Sequence, residues 1–200
     1  MQRIHTRSQN FLRSPALVKE LIGHTNIKRT DTVFDIGAGS GVIASVLAQK
    51  AARVVAVEID ERFIPKLQTN LHNFDNVEVV QADVLEFQFP HEPYKVFANI
   101  PFSLSSPIVT HLFNAHTPPR AVYLIVQEQF ARRLIPDKNG RVSQLGELLA
   151  AKFDLRIRRR MRPTDFYPRP NVPTVLLEML YREPGVSGRT QSPLQQSGEI

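Results

Sequence analysis

An α/β fold on a mainly parallel sheet, with helices on both faces, is the class this sequence predicts, and three observations predict it. Five short runs rich in Val, Ile, Ala and aromatic residues are separated by stretches long enough for helices. A glycine-rich turn follows the first run directly, and carboxylates stand at the ends of the next two. In α/β chains of this kind ligands collect at the carboxyl ends of the strands, so the last two observations also indicate where chemistry belongs.

Taken in order, Ser14-Pro15 reads as an N-cap and first helical position, and Leu17, Val18, Leu21 and Ile22 then form one apolar stripe. The strand runs are Thr32–Ile36, Arg53–Glu58, Val77–Gln81, 94–98 and Ala121–Gln127. Beyond Gly140 the pattern predicts a helix over 144–152 and two β runs, 155–161 and Thr174–Tyr181. These two pair antiparallel across a loop holding Pro163, Pro168, Pro170 and Pro173. Residues 1–182 are expected to form one main domain with a basic N-terminal arm, and the polar residues 183–200 a disordered tail.

Composition narrows the function. A chain of 200 residues with 42% hydrophobic content can bury one α/β core. No run approaches the roughly 18 apolar residues of a membrane span, and the start lacks the apolar stretch of a secretory signal, so a cytoplasmic protein is expected. The absence of cysteine excludes a disulfide framework, a thiolate zinc site and a cysteine nucleophile. The six histidines show no metal-ligand spacing, and no metal is expected. The net charge of +6 is unevenly spread: residues 1–30 carry six Lys/Arg against one acid, 31–119 five against ten, and 120–200 fourteen against eight. Basic ends around an acidic middle fit a polyanionic partner, or simply a solvated basic surface.

The first strand runs into Asp35-Ile36-Gly37-Ala38-Gly39-Ser40-Gly41, and Val42 starts a helix. Gly37, Gly39 and Gly41 permit a tight turn and close approach of backbone to ligand. Their Gly-x-Gly-x-Gly spacing lacks the last glycine of the dinucleotide fingerprint, which disfavours NAD. Glu58 closes the second strand about 20 residues after the first glycine, where a carboxylate can accept both hydroxyls of a ribose. Asp83, after the third strand, is placed to accept from an exocyclic amine such as adenine N6, or alternatively to cap the next turn. Together these favour an adenosyl ligand.

The fourth strand ends in Asn99-Ile100-Pro101-Phe102, which resembles the Asn-Pro-Pro-Tyr motifs of adenine-N6 methyltransferases. An adenine N6 amine is a poor nucleophile because its lone pair is delocalised into the ring. Acceptors on its protons, the Asn99 side-chain oxygen and the Ile100 carbonyl, return density to nitrogen and fix its direction. Pro101 stiffens the turn, and Phe102 offers a face to an extruded base.

Ser8-Gln9-Asn10-Phe11-Leu12, the Gly37 turn, Glu58-Ile59-Asp60, Asp83, Asn99-Ile100-Pro101-Phe102 and Phe166-Tyr167-Pro168-Arg169-Pro170-Asn171-Val172 occur together and in order. Over residues 5–182 the chain resembles the rRNA adenine dimethyltransferases, and most closely their erythromycin-resistance branch, to which Ser8-Gln9-Asn10 points. The resemblance implies a class I S-adenosylmethionine-dependent methyltransferase (Rossmann-like) fold, without the small helical C-terminal domain usual in the family. It implies that Asn10, Leu12, Gly37, Glu58, Asp83 and Asn99 contact S-adenosylmethionine, with Gly39 and Gly41 in the same turn, and that Phe102 and Phe166 hold the target base. It further implies a monomer that methylates large-subunit ribosomal RNA and confers macrolide-type resistance. Phe102 departs from the commoner tyrosine, which removes a hydroxyl but not a stacking face.

Alternatives are a small-subunit dimethyladenosine transferase, a catalytically silent RNA-binding or transcription-factor relative, and, more distantly, an NAD-dependent oxidoreductase. Arg156, Arg158, Arg160 and Arg162 alternate along a β run and are expected to share one face, opposite Leu155, Ile157, Arg159 and Met161. Such a ladder reads as an RNA contact or as a charged, aggregation-resistant edge. Arg132, Arg133, Lys138, Arg141 and the N-terminal Arg3, Arg7 and Arg13 would extend it.

Overall fold

The computed structural model describes residues 10–183. The basic arm with Arg3 and Arg7, Ser8-Gln9 and the polar tail from residue 184 lie outside the described residues.

Seven strands form the main sheet: β2 (Thr32–Ile36), β3 (Arg53–Glu58), β4 (Val77–Gln81), β5 (Lys95–Asn99), β6 (Ala121–Gln127), β7 (Phe153–Met161) and β9 (Thr174–Tyr181). Their order is β4-β3-β2-β5-β6-β9-β7. The first five are parallel, while β9 runs antiparallel to both β6 and β7. A separate ribbon pairs β1 (Phe11–Leu12) with β8 (Phe166–Tyr167).

Helices α1 (Pro15–Gly23), α2 (Val42–Ala48) and α3 (Ile64–Leu71) pack on one face of the sheet. Helices α4 (Ser105–Asn114), α5 (Glu128–Leu134) and α6 (Gln144–Ala150) pack on the other. Because both faces are covered, the interior strand β6 reads as a continuous apolar run, every residue from Ala121 to Val126 being fully buried. The Ser14 side chain accepts from the Leu17 N–H at 3.2 Å, which caps α1 ahead of Pro15 as its sequence foretold.

Three features differ from the sequence-based expectations. Residues 82–94 hold no helix. Phe87 and Phe89 instead pack edge-on against Phe34, and Phe89 stacks on Tyr94 with ring centroids 5.1 Å apart. Pro90 and Pro93 deny that segment two backbone donors, and its alternating rings cover the sheet in place of a helix. The β1–β8 ribbon was not legible, since its pairing joins residues far apart in the chain.

The arginine ladder is also broken. A β-bulge between Ile157 and Arg159 inserts one residue and reverses the phase of the strand beyond it. Arg156 therefore meets Glu178, and Arg159 meets Glu20 of α1 at 2.5 Å, whereas Arg160 reaches Glu128 of α5 on the opposite face at 2.8 Å. Arg158 donates to the His24 carbonyl at 2.8 Å, and Arg162 lies 3.4 Å from Asp165. Protein carboxylates offset part of the clustered charge.

Candidate active site

The chain moves from β2 outward to β3 and β4, then returns to the other side of β2 with β5 and β6. That reversal opens a crevice above the carboxyl ends of β2 and β5, where open α/β sheets bind ligands. A cleft lies there, and Asn10, Phe11, Leu12, Gly37, Asn99 and Phe102 are among its lining residues.

The glycine turn is bound to the neighbouring strand, Gly37 N–H donating to the Val57 carbonyl at 2.8 Å. Its glycines serve different ends. Gly41, at φ 85°, touches α3: a Cβ there would lie 2.9 Å from Leu67 Cδ1 and 3.2 Å from Leu71 Cγ. Gly37, at φ 70°, has nothing within 4 Å of where its Cβ would stand. Beside the cleft, that open space is room for a ligand against bare backbone.

Glu58 is only 2% exposed and grips the turn from below. Its Oε2 accepts from the Gly39 N–H at 2.8 Å and its Oε1 from the Asp60 N–H at 2.9 Å. Asp83 Oδ1 accepts from the Leu85 N–H at 2.9 Å, so one oxygen caps the local turn, while Oδ2 has no hydrogen bond to a described residue. Asp35, which sequence reasoning assigned no role, is fully buried under the turn. Neither of its oxygens has a well-formed hydrogen bond among the described residues. Burial pushes its pKa up to about 8; the Ala44 N–H gives partial relief, and the Glu58 carboxylate adds to the rise. An acid inside the apolar run Val33-Phe34-Asp35-Ile36 was the signal for it.

Asn99 Nδ2 donates to the Asn10 carbonyl at 2.6 Å. With the amide nitrogen engaged, Oδ1 is the acceptor that remains for the cleft. Ile100 is 2% exposed and Phe102 half-buried, and both line the same cleft. Phe166 departs from expectation. It is fully buried, registered opposite Leu12 in the β1–β8 ribbon and packed in the core with Met161 and Leu176. Its ring supports the arm that carries Asn10 and presents no face to a base. Phe11, quoted in the sequence motif without a role, lies on the other side of that ribbon, lining the cleft and packing 5.9 Å from Phe63. Gly39, Gly41, Glu58 and Asp83 are not among the residues that line the cleft.

Comparison with known proteins places this geometry. Residues 2–192 match the family described as ribosomal RNA adenine dimethylase. The chain is 32% identical over 185 residues to ribosomal RNA small subunit methyltransferase A of Streptococcus equi subsp. zooepidemicus, covering 88% of this chain and 64% of that protein. The protein of the same description from Streptococcus uberis is 32% identical over 184 residues, covering 87% and 63%. The chain thus spans less than two thirds of the length of these relatives. Among solved structures it is similar to the 23S rRNA methyltransferase ErmE, with TM-score 0.80 and 28% identity over 90% of this chain and 73% of that one. It is also similar to a dimethyladenosine transferase from Plasmodium falciparum, with TM-score 0.76 and 26% identity over 86% and 63%.

Proposed function

The chain belongs to the ribosomal RNA adenine dimethylase family, and from that premise we propose that it transfers methyl groups from S-adenosylmethionine to the N6 nitrogen of an adenine in ribosomal RNA. One observation carries the proposal: Asn99, its amide nitrogen held by the Asn10 carbonyl, stands in a cleft beside the open space over Gly37.

The residues fit the cofactor. Bare backbone at Gly37, with Asn10 and Leu12 lining the same cleft, leaves room for it; Glu58 braces the turn through the Gly39 and Asp60 N–H groups, and Asp83 beyond β4 keeps Oδ2 free of hydrogen bonds to described residues. When bound, S-adenosylmethionine supplies an electrophilic methyl carbon. The chain's own part is to hold and aim the amine. Asn99 Oδ1 and the Ile100 carbonyl accept hydrogen bonds from its N–H groups, which concentrates the lone pair and directs it. Phe102 gives the extruded base an aromatic face. Because these groups act by position and polarity, no strongly basic side chain is needed.

Large-subunit RNA is the first target proposed, with macrolide resistance as its consequence; Ser8-Gln9-Asn10 and the likeness to ErmE support it. Small-subunit RNA is the second, supported by the descriptions of the curated relatives. Incubating the protein with labelled S-adenosylmethionine and each rRNA, then mapping N6-methyladenines, separates them. Methylation of large-subunit RNA alone supports the first and of small-subunit RNA alone the second, while RNA binding without methyl transfer would reveal a catalytically silent relative.

A further inference from the structure

The arginines fall into two groups. Those of β7 and its end are matched by Glu178, Glu20, Glu128 and Asp165. Arg13 and Arg169, like Arg29, Arg133 and Arg141, are exposed and make no ion pair with a described residue. Arg13 and Arg169 flank the β1–β8 ribbon, and the Arg13 guanidinium lies over the ring of Tyr167, 5.8 Å from its centroid. Tyr167 is 67% exposed, the most exposed large apolar or aromatic side chain among the described residues.

Tyr167 is registered opposite Phe11. Cross-strand partners stand side by side on one face of a ribbon, and Phe11 lines the cleft. The Tyr167 ring therefore stands at the rim of the proposed adenine site, on a ribbon whose other face, Leu12 and Phe166, is sunk in the core. That anchoring fixes the backbone from which the ring projects. Removing an adenine from its stack also deprives the adjoining nucleotide of a neighbour, and an aromatic ring at the mouth of the site can replace it. Arg13 over the ring and Arg169 two residues along the chain make this rim cationic, which suits a nucleic acid rather than an apolar protein surface.

We propose that Tyr167 is a stacking platform for an unpaired nucleotide adjoining the target adenine, with Arg13 and Arg169 receiving the flanking phosphates. The proposal rests on the function proposed above, and the test separates the two. An RNA hairpin with an unpaired adenine, and versions with an abasic residue on either side of that adenine, are titrated by fluorescence anisotropy at several salt concentrations. Methyl transfer to the intact hairpin is measured in parallel.

Tyr167→Ala should weaken binding of the intact hairpin roughly tenfold, Tyr167→Phe should restore it, and one abasic hairpin should bind both wild type and Tyr167→Ala at the lower level. Arg13→Gln and Arg169→Gln should each lower the log-log salt slope by somewhat under one unit. S-adenosylmethionine affinity, unchanged in all variants, reports that the fold is intact. Tyr167→Ala binding like wild type, or losing the same factor on every hairpin, overturns the platform. A wild type that binds through Tyr167 but transfers no methyl supports the platform and defeats the proposed function, and one that binds no RNA defeats both.

Discussion

Two glycines of one turn should fail in different ways when each gains a methyl group. Gly37 and Gly41 both have φ near the left-handed region, 70° and 85°, so an alanine at either position pays about 1–2 kcal/mol of backbone strain. At Gly41 the new Cβ would also lie 2.9 Å from Leu67 Cδ1 and 3.2 Å from Leu71 Cγ, so two buried side chains must shift within the core to admit it. Overpacking of that kind adds about 1–3 kcal/mol, for a total of about 2–5 kcal/mol. At Gly37 nothing is met, and the strain stands alone. At about 2–4 °C per kcal/mol for a chain of this size, Gly41→Ala should lower Tm by roughly 4–20 °C and Gly37→Ala by roughly 2–8 °C. The order reverses for ligand: Gly37→Ala fills the space assigned to S-adenosylmethionine and should lose at least about tenfold in affinity, roughly 1.4 kcal/mol. Folded Gly41→Ala should bind nearly as wild type. Thermal melts and isothermal calorimetry on both variants decide the matter. A Gly37→Ala protein with wild-type affinity would refute the assignment of that space to the cofactor.

Asn99→Ala should lose turnover far more than RNA affinity, whereas Phe102→Tyr should remain active because its aromatic face persists; steady-state kinetics in which Asn99→Ala matches wild type would remove Asn99 from the chemistry. Asp35, raised from 3.8 to about 8, holds a proton in the folded chain that the unfolded chain has released. Its contribution to stability is therefore fully present below about pH 4 and lost as pH rises through about 8, at up to ~1.4 kcal/mol per pH unit. Asp35→Asn should flatten that decline, and parallel urea-unfolding curves from pH 5 to 9 would contradict the burial argument. Arg156→Gln leaves Glu178 buried with Arg158 at 3.7 Å as its remaining cation, and because the Arg156 side chain is itself 58% exposed the expected loss is about 1–2 kcal/mol. Replacing Arg156, Arg158, Arg160 and Arg162 together with Gln should barely change the salt slope of RNA binding; a fall of several units would return the ladder to the RNA.

Much of the site could be read in the chain because its signals are local. Strand runs follow from β-branched and apolar composition, the α1 cap from Ser14-Pro15, and the turn from glycines that alone tolerate positive φ. Asn99 and Gly37 end adjacent strands, so any chain that winds in this order brings them to one cleft. What the tertiary structure decided was the partner of each side chain. Phe166 was expected to hold the base because its motif resembles that of the rRNA adenine dimethyltransferases, yet pairing with β1, at the opposite end of the described chain, buries it completely. The arginine ladder looked like an anion surface because alternation assumes an unbroken strand, and a single inserted residue turned Arg160 to the other face. Gly41 and Gly37 are indistinguishable as letters, and only the approach of α3 makes one a packing residue while the other stays open to ligand. Local propensity determines which element a segment forms, but burial and charge pairing depend on what covers it, and that is set by contacts between residues distant in the chain.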